Sequence, residues 1–357
     1  MKRGLILALV LFFGMVAVAS AGPVDVGNTS QQGSVLIFPK IDVSGGRDTI
    51  ISISNGNNVP VFIECYWVDS NQNWQDFMFE LTANQPIAFS ALYGISGDTV
   101  PVTVPPFPAC DSPVGELKCW AVDNGGANQI NFNFLTGSAK VIDYDYFTAY
   151  EYNAWTFDAR TGTTGAAVGT GGLITLDGVN FDACPQYFLG NFFATGADYG
   201  FFKTTDLTLV PCKQDVRQDR VPTYTKAKFD IWNENEVEYS GAYQCFKCWF
   251  ENYLCKISDK FTFCSLHTAA ARFRTTGIAS TVCNFGTAAS PVYAKATPLI
   301  GLLVEELDFS YGKIADTAKG CQIAKTASTG FGAGIDTTGF IAWDPLAAPV
   351  SAKKPSK

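Results

Sequence analysis

The feature that most constrains this chain is an alternation that begins at Thr49. In Thr49-Ile50-Ile51-Ser52-Ile53-Ser54-Asn55, the residues Thr49, Ile51 and Ile53 fall on one side of an extended chain. Successive side chains of a strand point to opposite faces, so this is the pattern of a half-buried strand. Asn55-Gly56-Asn57-Asn58 follows. Asn and Gly tolerate positive φ, which a tight turn requires. Val59 to Val68 resumes the alternation, with Val61, Ile63, Cys65 and Trp67 on one face. Asp69 to Asn73 is a second polar turn, and Phe77 to Phe89 returns with Phe79 and Leu81.

The same order of signals recurs near Ala227 to Phe273. Ile53-x-Asn55-x-Asn57-x-Val59 is matched by Ile231-x-Asn233-x-Asn235-x-Val237, and Cys65-x-Trp67 by Cys248-x-Phe250. Cys119 precedes Gly137 by the same interval as Cys283 precedes Gly301. These matches predict an internal duplication. Many short strands with regular turn signals, and no convincing long amphipathic helix, predict an all-β chain of two tandem, Ig-like β-sandwich domains. The first would span 22–218 and the second 219–345, with the boundary in the charged stretch Lys213 to Pro222 and a disordered tail over 346–357.

Residues 1–21 read as a secretory signal peptide: Met1-Lys2-Arg3, an apolar run from Leu5 to Val18, then Ala19-Ser20-Ala21. No later segment is apolar enough for a membrane span. Loss of Lys2 and Arg3 with the leader takes the formal net charge from −8 to −10. An acidic chain without a basic patch is a poor ligand for polyanions, so no nucleic-acid partner is expected. An exported chain meets an oxidising compartment, and its 11 Cys read first as disulfides. The strand pattern points Cys65 and Cys119 inward and predicts that they pair. By the echo, Cys248 pairs with Cys283. Cys184 and Cys212 flank an aromatic excursion and could close it.

Little catalytic chemistry is written here. His267 is the single histidine, which rules out any two-His zinc motif and makes it the sole histidine available to a Ser or Cys nucleophile. The pattern places it on a strand, in an ordinary role. Cys245, Cys248, Cys255 and Cys264 have spacings that also suit a four-thiolate zinc site. Residues three apart on a strand face opposite sides, so disulfides, with Cys245–Cys255 as one pair, are the preferred reading. No cofactor is expected apart from a candidate calcium site: Asp69, Asn71, Asn73 and Glu80 match part of a calcium-loop spacing, with Trp74 where a Gly is required. Asp143 and Asp145 form a second carboxylate pair.

Tyr144 to Trp155 and Tyr187 to Phe202 are dense in aromatics. Core packing explains most such rings. Rings exposed together would instead form a binding face, for which Trp155, Tyr187, Phe188, Phe192, Phe193 and Tyr199 are the candidates.

Ile37-Phe38-Pro39-Lys40-Ile41-Asp42, Asp76 to Phe79 with Leu81 to Pro86, Leu207 to Asp215, and Asp230 to Val237 resemble a set of exported β-rich proteins of anaerobic proteobacteria. The resemblance spans most of the mature chain and implies a periplasmic or extracellular location. It carries no activity, cofactor or site residue. The functional expectation is therefore a secreted, non-catalytic structural, adhesive or protein-binding protein. A carbohydrate-binding or calcium-dependent module is the first alternative. A hydrolase built on two carboxylates, which needs no histidine, is the second.

Overall fold

The computed structural model describes residues 25–95, 102–108, 111–198, 201–212, 221–308, 332–336 and 338–341. The expected leader 1–21, most of the boundary stretch (213–220), the tail 346–357 and Tyr199 lie outside them. The protein is all-β, with 57% strand and 4% helix.

In chain order the first strands are β1 (Val35–Asp42), β2 (Arg47–Asn55), β3 (Val61–Asp69), β4 (Trp74–Leu81), β5 (Pro86–Ser90) and β6 (Val114–Val122). Next come β7 (Asn128–Ile130), β8 (Leu135–Asp143), β9 (Thr148–Asn153), β10 (Trp155–Phe157), β11 (Ala167–Thr170) and β12 (Tyr187–Phe193). They are followed by β13 (Gly196–Asp198), β14 (Phe201–Pro211), β15 (Tyr224–Asn233), β16 (Glu238–Lys247), β17 (Phe250–Tyr253) and β18 (Ala270–Ile278). The last are β19 (Ser280–Asn284), β20 (Tyr293–Ala294), β21 (Leu299–Asp308), β22 (Gly332–Asp336) and β23 (Thr338–Ile341). Two one-turn helices, α1 (Leu254–Ile257) and α2 (Phe263–Leu266), flank a 3-10 turn at Asp259–Phe261.

Every strand ladder among the described residues is antiparallel. Sheet I runs β10-β1-β6-β3-β4, with β7 on β6 and β11 on β7. Sheet II runs β5-β2-β8-β9, and sheet III runs β16-β15-β18-β12-β23. Sheet IV runs β13-β14-β21-β22, with β17 on β14, and β19 and β20 form a small ribbon. β12 and β14 precede the expected boundary yet pair with β18 and β21, which follow it.

The core explains the sequence of β1. All eight residues of β1 are buried. Leu36 and Phe38 point into a cluster with Ile51, Ile53, Trp67 and Phe79, between sheets I and II. Val35 and Ile37 point the other way, to a cluster holding Trp120, Trp155, Phe188, Phe229 and Phe273. A strand covered on both faces reads as a continuous apolar run rather than an alternation, and Val35-Leu36-Ile37-Phe38 is such a run. Sheet I is thus an inner layer. Leu302 and Val304 of β21 also enter the first cluster, and the Trp155 indole N–H donates to Gly301 O at 2.9 Å. Gly301 and Gly137 allow close approaches: a Cβ on Gly301 would lie 2.2 Å from Thr208 O, and one on Gly137 would lie 2.6 Å from the Phe38 ring.

The two Asn turns share chemistry but not topology. The side-chain oxygen of Asn55 accepts the Asn57 N–H at 2.8 Å, and that of Asn233 accepts the Asn235 N–H at 3.0 Å. At Asn55 the chain leaves sheet II for sheet I, because β2 pairs with β5 and β8 whereas β3 pairs with β4 and β6. At Asn233 the chain doubles back, and β15 pairs with β16. An Asx turn sets a few backbone groups and leaves the choice of neighbouring strand to the core. The strand-by-strand equivalence of the two stretches stops at this turn.

Cys65 and Cys119 lie opposite one another on β3 and β6 and are bridged, with Cα atoms 4.1 Å apart. Cys184 and Cys212 are bridged with Cα atoms 5.9 Å apart. The third bridge joins Cys245 to Cys283 at a Cα separation of 5.7 Å. It corrects both expected pairs, Cys248–Cys283 and Cys245–Cys255. The cause is the end of β16. Lys247 is its last residue, and Cys248 adopts a φ of 63°, which turns the chain toward β17 in sheet IV. The Cys248 N–H and thiol are both directed at Thr223 O. Cys255 is also disulfide-bonded, and Cys264 is an exposed thiol on α2. With Cys245 committed to Cys283, the four-thiolate zinc arrangement does not form. These bridges fit maturation in an oxidising compartment.

Candidate functional site

One end of sheet II gathers exposed rings on a polar base. Asp48 of β2 is buried. Its carboxylate accepts the Ser90 hydroxyl at 2.6 Å and the Leu92 N–H at 3.0 Å, which fixes the chain leaving β5. Arg47 donates from Nε to Asp143 at 2.9 Å and from a terminal nitrogen to Asp42 at 3.0 Å. The other oxygen of Asp143 accepts the N–H groups of Asp145 and Tyr146, each at 3.0 Å. Tyr144 N–H donates to Gly46 O at 3.1 Å, tying the β8–β9 tip to the β1–β2 turn. The second carboxylate pair seen in the sequence is therefore divided: Asp143 is a structural anchor, and Asp145 stands at the tip.

On this base project Leu92, Tyr93, Tyr144, Tyr146 and Phe147. Their exposures are 38%, 78%, 54%, 50% and 81%. Two strand spacings, about 10 Å, separate β5 from β8 across the sheet, and the chain leaving β5 reaches the level of Asp48, which pairs with Ile142 just before the β8–β9 tip. Phe147 has a φ of +54°, a left-handed conformation that costs a bulky residue about 1–2 kcal/mol. Strain of that kind, on an exposed ring that the core does not need, points to use rather than packing. The arrangement can bury several rings at once against another surface.

A cleft of about 410 Å³ opens on sheet III at the ends of β12, β15 and β18. Phe193 and Trp232 wall it, and Asn191, Asn233, Glu234, Arg272 and Glu305 supply its polar lining. Trp232 is held by arginines: the guanidinium carbons of Arg274 and Arg272 lie 5.1 and 5.5 Å from its ring centre. Arg274 also lies 5.0 Å from the Tyr187 ring and donates to Asp230 at 3.1 Å. Arg272 is exposed and has no carboxylate partner among the described residues. Glu305 is buried and accepts the Phe193 N–H at 2.7 Å.

A third cluster lies inside the protein. Lys40 of β1 meets Asp206 of β14 at 2.7 Å and Glu251 of β17 at 2.5 Å, with the Tyr150 ring of β9 5.6 Å away. Burial works to lower the Lys40 pKa, but Asp206, Tyr150 and Glu251 outweigh it and hold the ammonium charged. Burial pushes the Glu251 carboxyl up to about 7, with Asp206 adding to the rise and Lys40 opposing it. The two carboxylates are close enough for the hydrolase alternative. Lys40 sits on both of them, and they tie sheet I to sheet IV, so the cluster reads as a structural clamp.

The structure disperses the other candidates. Asp69 is buried, and its carboxylate accepts the N–H groups of Asn71 and Asn73 at 2.9 and 2.8 Å and the Asn73 amide at 2.9 Å. Glu80 pairs with Phe62 at the far end of the β3–β4 ladder, about 24 Å from Asp69 at ~3.4 Å per residue. The four proposed calcium ligands do not converge, because a strand rather than a loop separates the first three from the fourth. Trp155, Phe188 and Phe192 are core residues, not surface ones, while Tyr187 and Phe193 are half-buried on the outer side of β12. Alternation along β12 puts its rings on both sides, so they form no common face. His267 is not on a strand. It is the exposed C-cap of α2, with a φ of 55° and its N–H bonded to Phe263 O.

Tyr144, Tyr146 and Phe147 belong to the aromatic-dense stretch from Tyr144 to Trp155, although the sequence pattern named none of them as a face residue; Tyr93 carried no such signal. The available signal was Tyr144-Asp145-Tyr146-Phe147, a polar-poor tip between two strands, and it required knowing where the hairpin turned. No helix among the described residues is long and apolar enough to cross a membrane. No protein-family model, curated protein or solved structure matches this chain.

Proposed function

We propose that this chain is an exported, non-catalytic binding protein that attaches to a protein partner at the cell surface or in the periplasm. In this reading, sheets I with II and III with IV are two tandem sandwich units, and the second braces the first through the shared inner layer. The observation that carries the reading is the apex: Tyr93, Tyr144, Tyr146 and Phe147 exposed together on loops that buried carboxylates hold in place. Loops on a rigid scaffold are where recognition residues concentrate. Aromatic anchors contribute most of the energy at protein interfaces. The disulfides and the leader-like residues 1–21 support export.

The test uses the mature chain immobilised and presented with envelope proteins of the source cell, alongside a Tyr93→Ser, Phe147→Gly double variant. The expected result is one identified protein that the parent retains, that the variant releases, and that rebinds the parent when purified. Equal retention by both forms would remove the apex from the proposal. Specific turnover of any polysaccharide would refute the non-catalytic reading.

A further inference from the structure

The cleft on sheet III plays no part in the apex reading, and its chemistry selects a different ligand. Its volume of about 410 Å³ lies in the range of small-ligand sites, about 300–1,000 Å³. Its polar lining carries one cation, Arg272, and two carboxylates, Glu234 and Glu305. A simple anion drawn to Arg272 meets both carboxylates. A simple cation drawn to the carboxylates meets Arg272. Neither sign of charge is favoured, and a neutral ligand is.

The lining offers such a ligand matched groups. Arg272 has free N–H donors, because no carboxylate among the described residues engages it. The exposed Asn191 amide both donates and accepts. Glu234 is exposed at the rim, with one oxygen accepting the Ala269 N–H at 3.2 Å and further acceptor capacity remaining. Phe193 and Trp232 present apolar surface beside these groups. The site is also rigid: Arg274, pinned by Asp230, packs on Trp232 from within the same sheet face. Planar polar side chains around an apolar wall fit a ring with one C–H face and a rim of hydroxyls. We propose that this cleft is a glycan site that takes one or two rings of a neutral oligosaccharide, independently of the apex.

Intrinsic tryptophan fluorescence of the full mature chain tests this. Neutral hexaoses of glucose, mannose, xylose and N-acetylglucosamine are titrated in, with an oligogalacturonate and an oligolysine peptide as charged comparators. The expected result is a saturable change with at least one neutral hexaose and none with either charged probe at the same concentration. Arg272→Gln, which removes the guanidinium over Trp232 and its N–H donors, and Asn191→Ala should each weaken that binding at least tenfold. Phe147→Gly should leave it unchanged. Absence of a saturable response to every neutral hexaose, a stronger response to a charged probe, or binding that survives both cleft variants would overturn the proposal. Retention of a protein partner by the apex is read in a separate assay, so the two readings fail separately.

Discussion

Phe147→Gly separates a binding role for the apex from a packing role. Phe147 is 81% exposed and sits at a φ of +54°. Moving that conformation from Phe to Gly removes a cost of about 1–2 kcal/mol. Gly restores about 0.5–1 kcal/mol through greater freedom of the unfolded chain. A Phe side chain presents roughly 150–250 Å². One fifth of that is about 40 Å², or about 1 kcal/mol of lost burial at ~25 cal/mol per Å². These effects nearly cancel, so the net change should lie within about 1 kcal/mol of zero. The same truncation of a core ring costs about 3–5 kcal/mol. Guanidinium or urea unfolding, fitted with a common slope, reads the difference. The expected outcome is an unchanged midpoint with loss of partner retention. A loss of 3 kcal/mol or more would mean that the ring is packed, and the exposure argument would fall. An unchanged midpoint with unchanged retention would show that the strained ring serves no contact.

Lys40→Met should destabilise by about 3–5 kcal/mol, because it leaves Asp206 and Glu251 buried without their cation; a cost below about 1 kcal/mol would show that the clamp is dispensable. Glu251 binds its proton more tightly in the folded chain, with a pKa of about 7 against an ordinary value of 4.5. Its contribution is therefore fully present below pH 4.5 and is lost as pH rises through about 7, by at most about 3 kcal/mol. Unfolding midpoints from pH 4 to 8 should fall in the parent and fall less steeply in Glu251→Gln, since Glu64 and Asp158, raised to about 7 and about 6 by burial, keep contributions of the same sign; parallel profiles would refute the assignment. Cys245→Ser opens a loop of 38 residues and should cost about 3–4 kcal/mol, whereas Cys248→Ser should leave the Cys245–Cys283 bridge intact by peptide mapping. Asp69→Ala should cost about 1–2 kcal/mol through its turn, equally with and without calcium; a calcium-dependent difference in melting would restore the metal reading.

Much of the scaffold was legible because strand alternation is local. Val61, Ile63, Cys65 and Trp67 lie on the buried side of β3 as their spacing requires, and the Asn55 and Asn233 turns form where the Asn residues stand. Cys65 and Cys119 could be matched because both lie within regular strands. Cys248 could not, because its left-handed backbone ends the strand one residue earlier and leaves the bridge to Cys245. The candidate sites were largely hidden. Phe188 and Phe147 both belong to aromatic-rich stretches, yet one is buried and the other 81% exposed. Nothing within either stretch distinguishes them.

By itself, then, the amino-acid order determined most of the strands, their inward sides and the Asn turns. Alternation is set by backbone geometry within a few residues, and turn chemistry by the next two or three. Only the tertiary structure decided which strands lie side by side, that β1 is covered on both faces, and which rings reach solvent. Those outcomes depend on what packs over each face, and Phe188, Phe229 and Phe273, which help to cover Val35 and Ile37, lie more than a hundred positions away.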